Sequence, residues 1–240
     1  MLQSVNELHS FTIHAHDGEI GAIQDVLWDD AHWTIRYLVV DTGKWLPGRS
    51  VLLSPAAARF VDWLERRIPV NLSCQQVKDS PNAETDQPVS RQHETDLAAY
   101  YGWPAYWTAA SFNFEPLLIV PPTGGDERSA LKSDPHLRSA REVRRCQIDA
   151  VGGEIGCVSD FVFDDETWRI VFLVADAGHW LHKRLLLLKP EWITEVNWHQ
   201  RRIVVNLTRE SLKNSPPFSP RFPIPREYAE RLAKHYRRAG

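Results

Sequence analysis

The sequence predicts a mainly β fold, two small β-barrels in tandem, each followed by a short helical segment. Three observations carry that expectation. First, the chain repeats itself: comparing positions 18–81 with 153–216 at a constant offset of 135 gives 30 identities in 64, with no gap. Second, within each copy apolar residues alternate with polar ones in short runs at roughly 8–12-residue spacing, the pattern of a small sandwich or barrel. Third, hydrophobic residues make up 43% of the chain and charged residues 25%, with ten tryptophans, enough to build a core and too apolar for a disordered chain.

The repeat runs from Gly18-Glu19-Ile20-Gly21, matched by Gly153-Glu154-Ile155-Gly156, through Asp25 and Asp160, Trp33 and Trp168, Trp45 and Trp180, to Ser80-Pro81 and Ser215-Pro216. Weaker matches continue on both sides, from Ile13 and Ile148 to Tyr101 and Tyr236. In the first copy the glycine-flanked tetrapeptide is expected to turn into a strand over Ala22–Trp28. Asp29-Asp30 then turns the chain into Trp33–Val40, rich in β-branched and aromatic residues. Ser50–Leu53 forms a third strand stopped by Pro55, and Val61–Leu64 with Ile68–Leu72 forms a second hairpin. Closing the sheet into a barrel would remove its exposed edges. Ser73-Cys74-Gln75-Gln76 has capping-box spacing for a helical turn, and Leu97 with Tyr100 and Tyr101 predicts an amphipathic helix over 91–101. Large aromatics at matching places, Trp33 with Trp168 and Trp45 with Trp180, are expected to fill matching core positions.

This organisation divides the chain into a first unit over 1–111, a linker over 112–136 containing Pro121-Pro122-Thr123-Gly124-Gly125, and a second unit over 137–240. Residues 1–107 carry 8 Lys+Arg against 14 Asp+Glu, while residues 108–240 carry 20 against 17, so the copies differ in surface charge. No run approaches the roughly 20 apolar residues of a membrane span, and the first residues lack the basic and apolar regions of a secretory signal. A cytoplasmic location is expected. Cys74, Cys146 and Cys157 cannot all pair within the chain and show no Cys-x-x-Cys spacing, which argues against a disulfide framework or structural zinc.

The pattern Gly18-x-Ile20-Gly21-x-Ile23-x-Asp25, followed by Trp33-x-Ile35-Arg36-Tyr37-Leu38-Val39-Val40-Asp41 and Arg49-Ser50-Val51-Leu52-Leu53, resembles the PRC-barrel domain. That domain is shared by the cytoplasmic part of the photosynthetic reaction centre H subunit and the C-terminal domain of the ribosome maturation factor RimM. Asp41-Thr42-Gly43-x-Trp45-Leu46-Pro47-Gly48-Arg49, with Ser80-Pro81 and the block Tyr100–Trp107, is similar to tandem PRC-barrel proteins of proteobacteria. The resemblance implies a binding module, not an enzyme: a scaffold linked to reaction-centre or electron-transport complexes, or alternatively an accessory factor for ribosome or RNA assembly. It implies no cofactor.

Candidate sites follow from residue type. Tyr100, Tyr101, Trp103, Tyr106 and Trp107 form an aromatic block without a counterpart in the second copy, and such residues are favoured at protein interfaces. A homodimer with this block at or beside its contact is expected. Arg226, Arg231, Lys234, Arg237 and Arg238 give the last helix a basic face suited to an acidic partner or anionic surface, while Tyr228, Leu232 and Tyr236 form its apolar stripe. The sequence pI of about 6.4 lacks the broad basic footprint of an RNA binder, so nucleic acid is not the leading partner. Asp25, Asp29, Asp30 and Asp41, with Asp160, Asp164, Asp165 and Asp176, could ligate a hard cation, but turn chemistry accounts for them more simply. His14 with His16, and His179 with His182, have spacings that could reach one metal ion, yet neither pair is shared by both copies.

Overall fold

The computed structural model describes residues 1–81, 89–107, 137–178, 184–216 and 218–237. The first unit contributes β1 (Leu2–Ser4), α1 (Val5–Leu8), β2 (Thr12–His14), β3 (Glu19–Asp29), β4 (Thr34–Asp41), β5 (Ser50–Leu53), β6 (Arg67–Pro69), α2 (Cys74–Lys78) and α3 (Arg91–Tyr101). The second contributes β7 (Leu137–Ser139), α4 (Ala140–Val143), β8 (Gln147–Val151), β9 (Gly153–Asp164), β10 (Ile170–Asp176), β11 (Leu185–Leu188), β12 (Ile193–Asn197), β13 (Arg202–Thr208), α5 (Arg209–Lys213) and α6 (Arg226–Arg237).

The protein is mainly β, and its strands form two sheets. One runs β5-β4-β3-β2-β6 with β7 also on β3, and the other runs β11-β10-β9-β8-β13-β12 with β1 also on β9. The register repeats with the sequence. Leu27 opposes Tyr37 as Val162 opposes Phe172, Leu38 opposes Leu53 as Leu173 opposes Leu188, and Thr12 opposes Arg67 as Gln147 opposes Arg202.

Closed barrels are not what the strands form: among the described residues β5 does not pair with β6, nor β11 with β12. The reason lies in a device that the repeat pattern does not reveal. Strand β4 runs along one side of β3, while β2 pairs only with its beginning, over Glu19–Ala22. The far end, Leu27–Asp29, takes β7 from the second unit. Reciprocally, β1 of the first unit pairs with Val162–Asp164 of β9. Each long strand therefore has the end that its own unit leaves open paired by the other copy, so that stretch of β3 or β9 presents no free edge, while β5 and β6, and β11 and β12, remain the outer strands of their sheets.

The glycine tetrapeptide is not a turn either. Gly21 and Gly156 lie inside β3 and β9, and a Cβ on either would sit 1.9 Å from the carbonyl oxygen of Asp41 or Asp176 on the neighbouring strand. Gly156 also has φ +139°, which a side chain rarely adopts. Gly156→Ala is expected to cost about 2 kcal/mol, read as a lower denaturant midpoint, because backbone must move to admit the methyl group. In the first copy Val61–Leu64 forms no strand; isolated antiparallel bridges join Asp62 to Arg67, at 2.9 and 3.1 Å, and Ala58 to Val70, with Arg59 N–H donating to the Pro69 carbonyl at 2.9 Å, whereas the second copy has the full β12–β13 hairpin.

One continuous core joins both units, with Trp28, Phe11, Phe161, Phe163 and Phe172 almost wholly buried. At its middle the two hairpin turns meet about a pseudo-two-fold axis. Thr34 pairs with Arg169, its own repeat equivalent, flanked by Ile35 N–H donating to Trp168 C=O at 2.8 Å and Ile170 N–H donating to Trp33 C=O at 2.7 Å. Around that point the rings repeat the symmetry: Trp28 lies 4.8 Å from Trp33 and 6.1 Å from Trp198, as Phe163 lies 5.4 Å from Trp168 and 6.3 Å from Trp63. Trp33 and Trp168 thus occupy matching positions, but half-buried between the units and not in either unit's separate core. Trp45 is 36% exposed, tethered by its indole N–H to the Ile20 carbonyl at 2.6 Å. Trp180 lies outside the described residues.

Candidate interaction surface

The aromatic block is positioned by α3. Ser90 caps this helix by accepting from His93 N–H, and Gly102 ends it in the left-handed conformation at φ +70°, turning the chain back over the sheet. Leu97 anchors the helix in a second small core on the outer face of the sheet, with Tyr37, Val39, Leu52 and Leu137. Leu137 comes from the exchanged strand, so the second unit helps to seat the helix that carries the block.

Most of the block is turned inward. Tyr101 and Trp103 stack at 4.2 Å, half-buried against both cores. The Tyr106 hydroxyl donates to buried Glu94 at 2.7 Å, and Glu94 also forms an ion pair with Arg91 at 3.0 Å. The Arg36 guanidinium lies 3.8 Å over the Tyr106 ring and pairs with Asp29 at 2.9 Å, while Arg91 lies 4.4 Å over Trp107. Burial, with the Glu94 charge beside them, pushes the Tyr37 and Tyr106 hydroxyls far above the usual phenol range. Both stay protonated, which lets Tyr106 act as the donor to a carboxylate. Only Tyr100 has a largely free ring, at 42% exposure, and its hydroxyl donates to the Gln76 carbonyl at 2.9 Å. Tyr106→Phe is expected to cost about 1.5 kcal/mol, since it removes a hydrogen bond to a buried charge, and the change is read in chemical denaturation. This network is confined to the first copy: Ala229 stands where Glu94 does, and Val171 where Arg36 does.

Two grooves flank the pseudo-two-fold axis. One, of about 760 Å³, is bordered by Phe60, Trp103, Tyr106 and Trp107 of the first unit and by Glu166 and Trp168 of the second; Phe60 is 55% exposed. The other, of about 690 Å³, lies between His32, Trp33 and Arg36 on one side and Arg169, Val171 and Pro190 on the other. The aromatic block forms a wall for the first, and Tyr106 reaches the second as well.

Helix α6 occupies on the second unit the place of α3 on the first. Tyr228, Leu232 and Tyr236 are buried, with Tyr236 4.5 Å from Trp192, and Arg231 and Lys234 are exposed. His235 Nε2 donates to the Ser211 carbonyl at 2.8 Å, repeating the bond from Tyr100 to Gln76. Arg226 and Arg237 are the first and last residues of the helix, while Arg238, His179 and His182 lie outside the described residues.

The remaining candidates resolve into structural roles. His14 bonds Thr12 Oγ1 at 2.9 Å, and among the described residues no group of three or more His, Cys, Asp or Glu side chains could hold a metal. Asp41 and Asp176 each accept from the glycine amide two residues on, at 2.9 Å, the expected turn bond. Asp29 likewise accepts from the Ala31 and His32 amides, and Asp164 from that of Glu166. Arg49 and Arg184 bond the carbonyls that end α2 and α5, from Lys78 and Ser80 and from Lys213 and Ser215. Cys146 is buried, in a packing role.

Asp25 and Asp160 have a role that sequence reasoning missed. Asp160 accepts from Ser4 Oγ at 2.5 Å and from Asn6 N–H at 3.1 Å; Asp25 accepts from Ser139 Oγ and from Arg141 N–H at 3.2 Å. Each aspartate therefore holds the helical turn that follows the strand donated by the other unit. The available signal was the repeat of Ser4-x-x-Glu7 as Ser139-x-x-Glu142 at the same offset, which marks two helix starts but not their exchange. No helix among the described residues is long and apolar enough to cross a membrane. No family model matches the chain, and no significant match to it is found among curated proteins.

Proposed function

We propose that the chain is a non-enzymatic binding or scaffold protein built from two PRC-barrel-like units, acting in the cytoplasm. The observation that carries this reading is the matching register of β3 with β4 and of β9 with β10, with a long, bulged β3 and β9 bearing the Gly-x-Ile-Gly-x-Ile/Val-x-Asp pattern in both copies. The groove walled by Phe60, Tyr106 and Trp107 is the surface offered to a protein partner, because large rings at a concave, partly exposed site contribute most to interface energy. Partners from photosynthetic reaction-centre or electron-transport complexes fit the first form of the reading. The exposed Arg231 and Lys234 of α6 favour a second form, an accessory role in ribosome or RNA assembly.

Affinity capture from native lysate with the wild type and Phe60→Ser tests both. Enrichment of membrane photosynthetic components, lost in the variant, supports the first; ribosomal proteins support the second; capture of neither, or equal capture by the variant, removes the groove from the account. A homodimer beside the aromatic block belongs to the same reading. Sedimentation of the wild type and of a Trp103→Ala, Trp107→Ala double variant tests it: a dimer that the variant loses places the contact at the block, and a dimer that the variant keeps moves the contact elsewhere.

A further inference from the structure

The contacts between the two units are self-complementary. Thr34 meets its own equivalent Arg169, Trp33 and Trp168 exchange backbone bonds with Ile170 and Ile35, and β1 and β7 each complete the other unit's sheet. Asp160 with Ser4 and Asp25 with Ser139 close the two exchanged turns. Such pairing of one surface with a copy of itself is the pattern of a two-fold homodimer interface, here found inside one chain. None of these contacts involves residues 108–136, the covalent tie between the halves.

We propose that this interface accepts its complementary half from a second copy of the chain as well as from its own. Residues 1–107 of one chain then pair with 137–240 of another, and the reciprocal pair closes a dimer held by two such interfaces. Every contact in the exchanged dimer is one already made in the monomer, so concentration decides between them. The partner is a second copy, recognised by strand addition at β3 and β9 and by the tryptophan-lined seam. This dimer differs from one built on the aromatic block, because neither Trp103 nor Trp107 takes part in the exchanged strand pairing or in the backbone bonds around Thr34 and Arg169.

Two experiments on the full chain test the proposal. A protease site inserted between Gly124 and Gly125 allows the folded protein to be cut. The halves are expected to remain a 1:1 complex through gel filtration at micromolar concentration, and separate elution would overturn the proposal. In the second experiment, isotopically heavy and light uncut chains are mixed, unfolded and refolded over a range of concentrations. Native mass spectrometry should show a dimer whose ratio to monomer rises roughly tenfold for each tenfold rise in concentration while it is the minor species, with half of the dimers carrying both labels. Monomer alone at the highest concentration would overturn the proposal. The Trp103→Ala, Trp107→Ala variant should give the same exchanged fraction as the wild type; its loss there would assign the dimer to the block instead.

Discussion

Trp28→Ala is expected to lower the unfolding free energy by about 3–5 kcal/mol, the usual range for truncating a large buried aromatic. Trp28 is fully buried, and its ring contacts Trp33 in its own unit and Phe161 and Trp198 in the other, at 5.3 and 6.1 Å. A cavity at this point would lie where both sheets share their core, so neither unit could contract around it without disturbing the seam at Thr34 and Arg169. The loss should appear as one shifted transition, with tryptophan fluorescence and far-ultraviolet circular dichroism coinciding. Two separated transitions would mean that the repeats unfold independently and that the shared core does not couple them. Phe163→Ala, at the equivalent position, should behave alike.

The second large effect is on pH dependence. Burial pushes the Asp160 carboxyl up to about 6, against the opposing pull of the Ser4 hydroxyl and the Phe161 and Asn6 amides. Its ordinary value is 3.8. With a folded-state value above the unfolded one, the folded protein binds the extra proton, so this group's contribution to stability is complete below about pH 4 and is lost as pH rises to about 6. The difference between the two values corresponds to about 3 kcal/mol. Asp160→Asn keeps an oxygen to accept the amides and an amide group to bond Ser4, but cannot ionise. The stability of the variant relative to wild type should therefore improve by about 3 kcal/mol between pH 3 and pH 7. Denaturant unfolding across that interval measures it. A constant difference would show that Asp160 does not carry the effect.

The repeat and, through it, the plan of each unit follow from the order of the amino acids alone. The ungapped offset required equal loop lengths, and the registers of β3 with β4 and of β9 with β10 match residue for residue. Alternation located Ser50–Leu53, the capping-box spacing located α2, and the Leu97–Tyr101 spacing located α3. These are short-range features, in which backbone geometry and neighbouring side chains decide the outcome. The aspartate turns at Asp29, Asp41 and Asp176 were legible for the same reason, since their bonds reach only two or three residues along the chain.

How the units share their edges follows from long-range packing and not from local pattern. A three-residue strand such as Leu2–Ser4 carries too little pattern to name a partner 160 residues away, and an edge can be covered equally well by closure or by a borrowed strand. The same limit applies to Asp25 and Asp160: their carboxylates look like turn residues in sequence, but their partners Ser139 and Ser4 lie in the other copy. The aromatic block shows it once more. Composition marked Tyr100–Trp107 as interface material; it could not show that buried Glu94 with Arg36 and Arg91 holds Tyr106 and Trp107 against the chain's own surface, where they wall a groove. A side chain's chemistry is written locally, whereas whether it meets its own fold or a partner depends on which charges and rings long-range packing brings beside it.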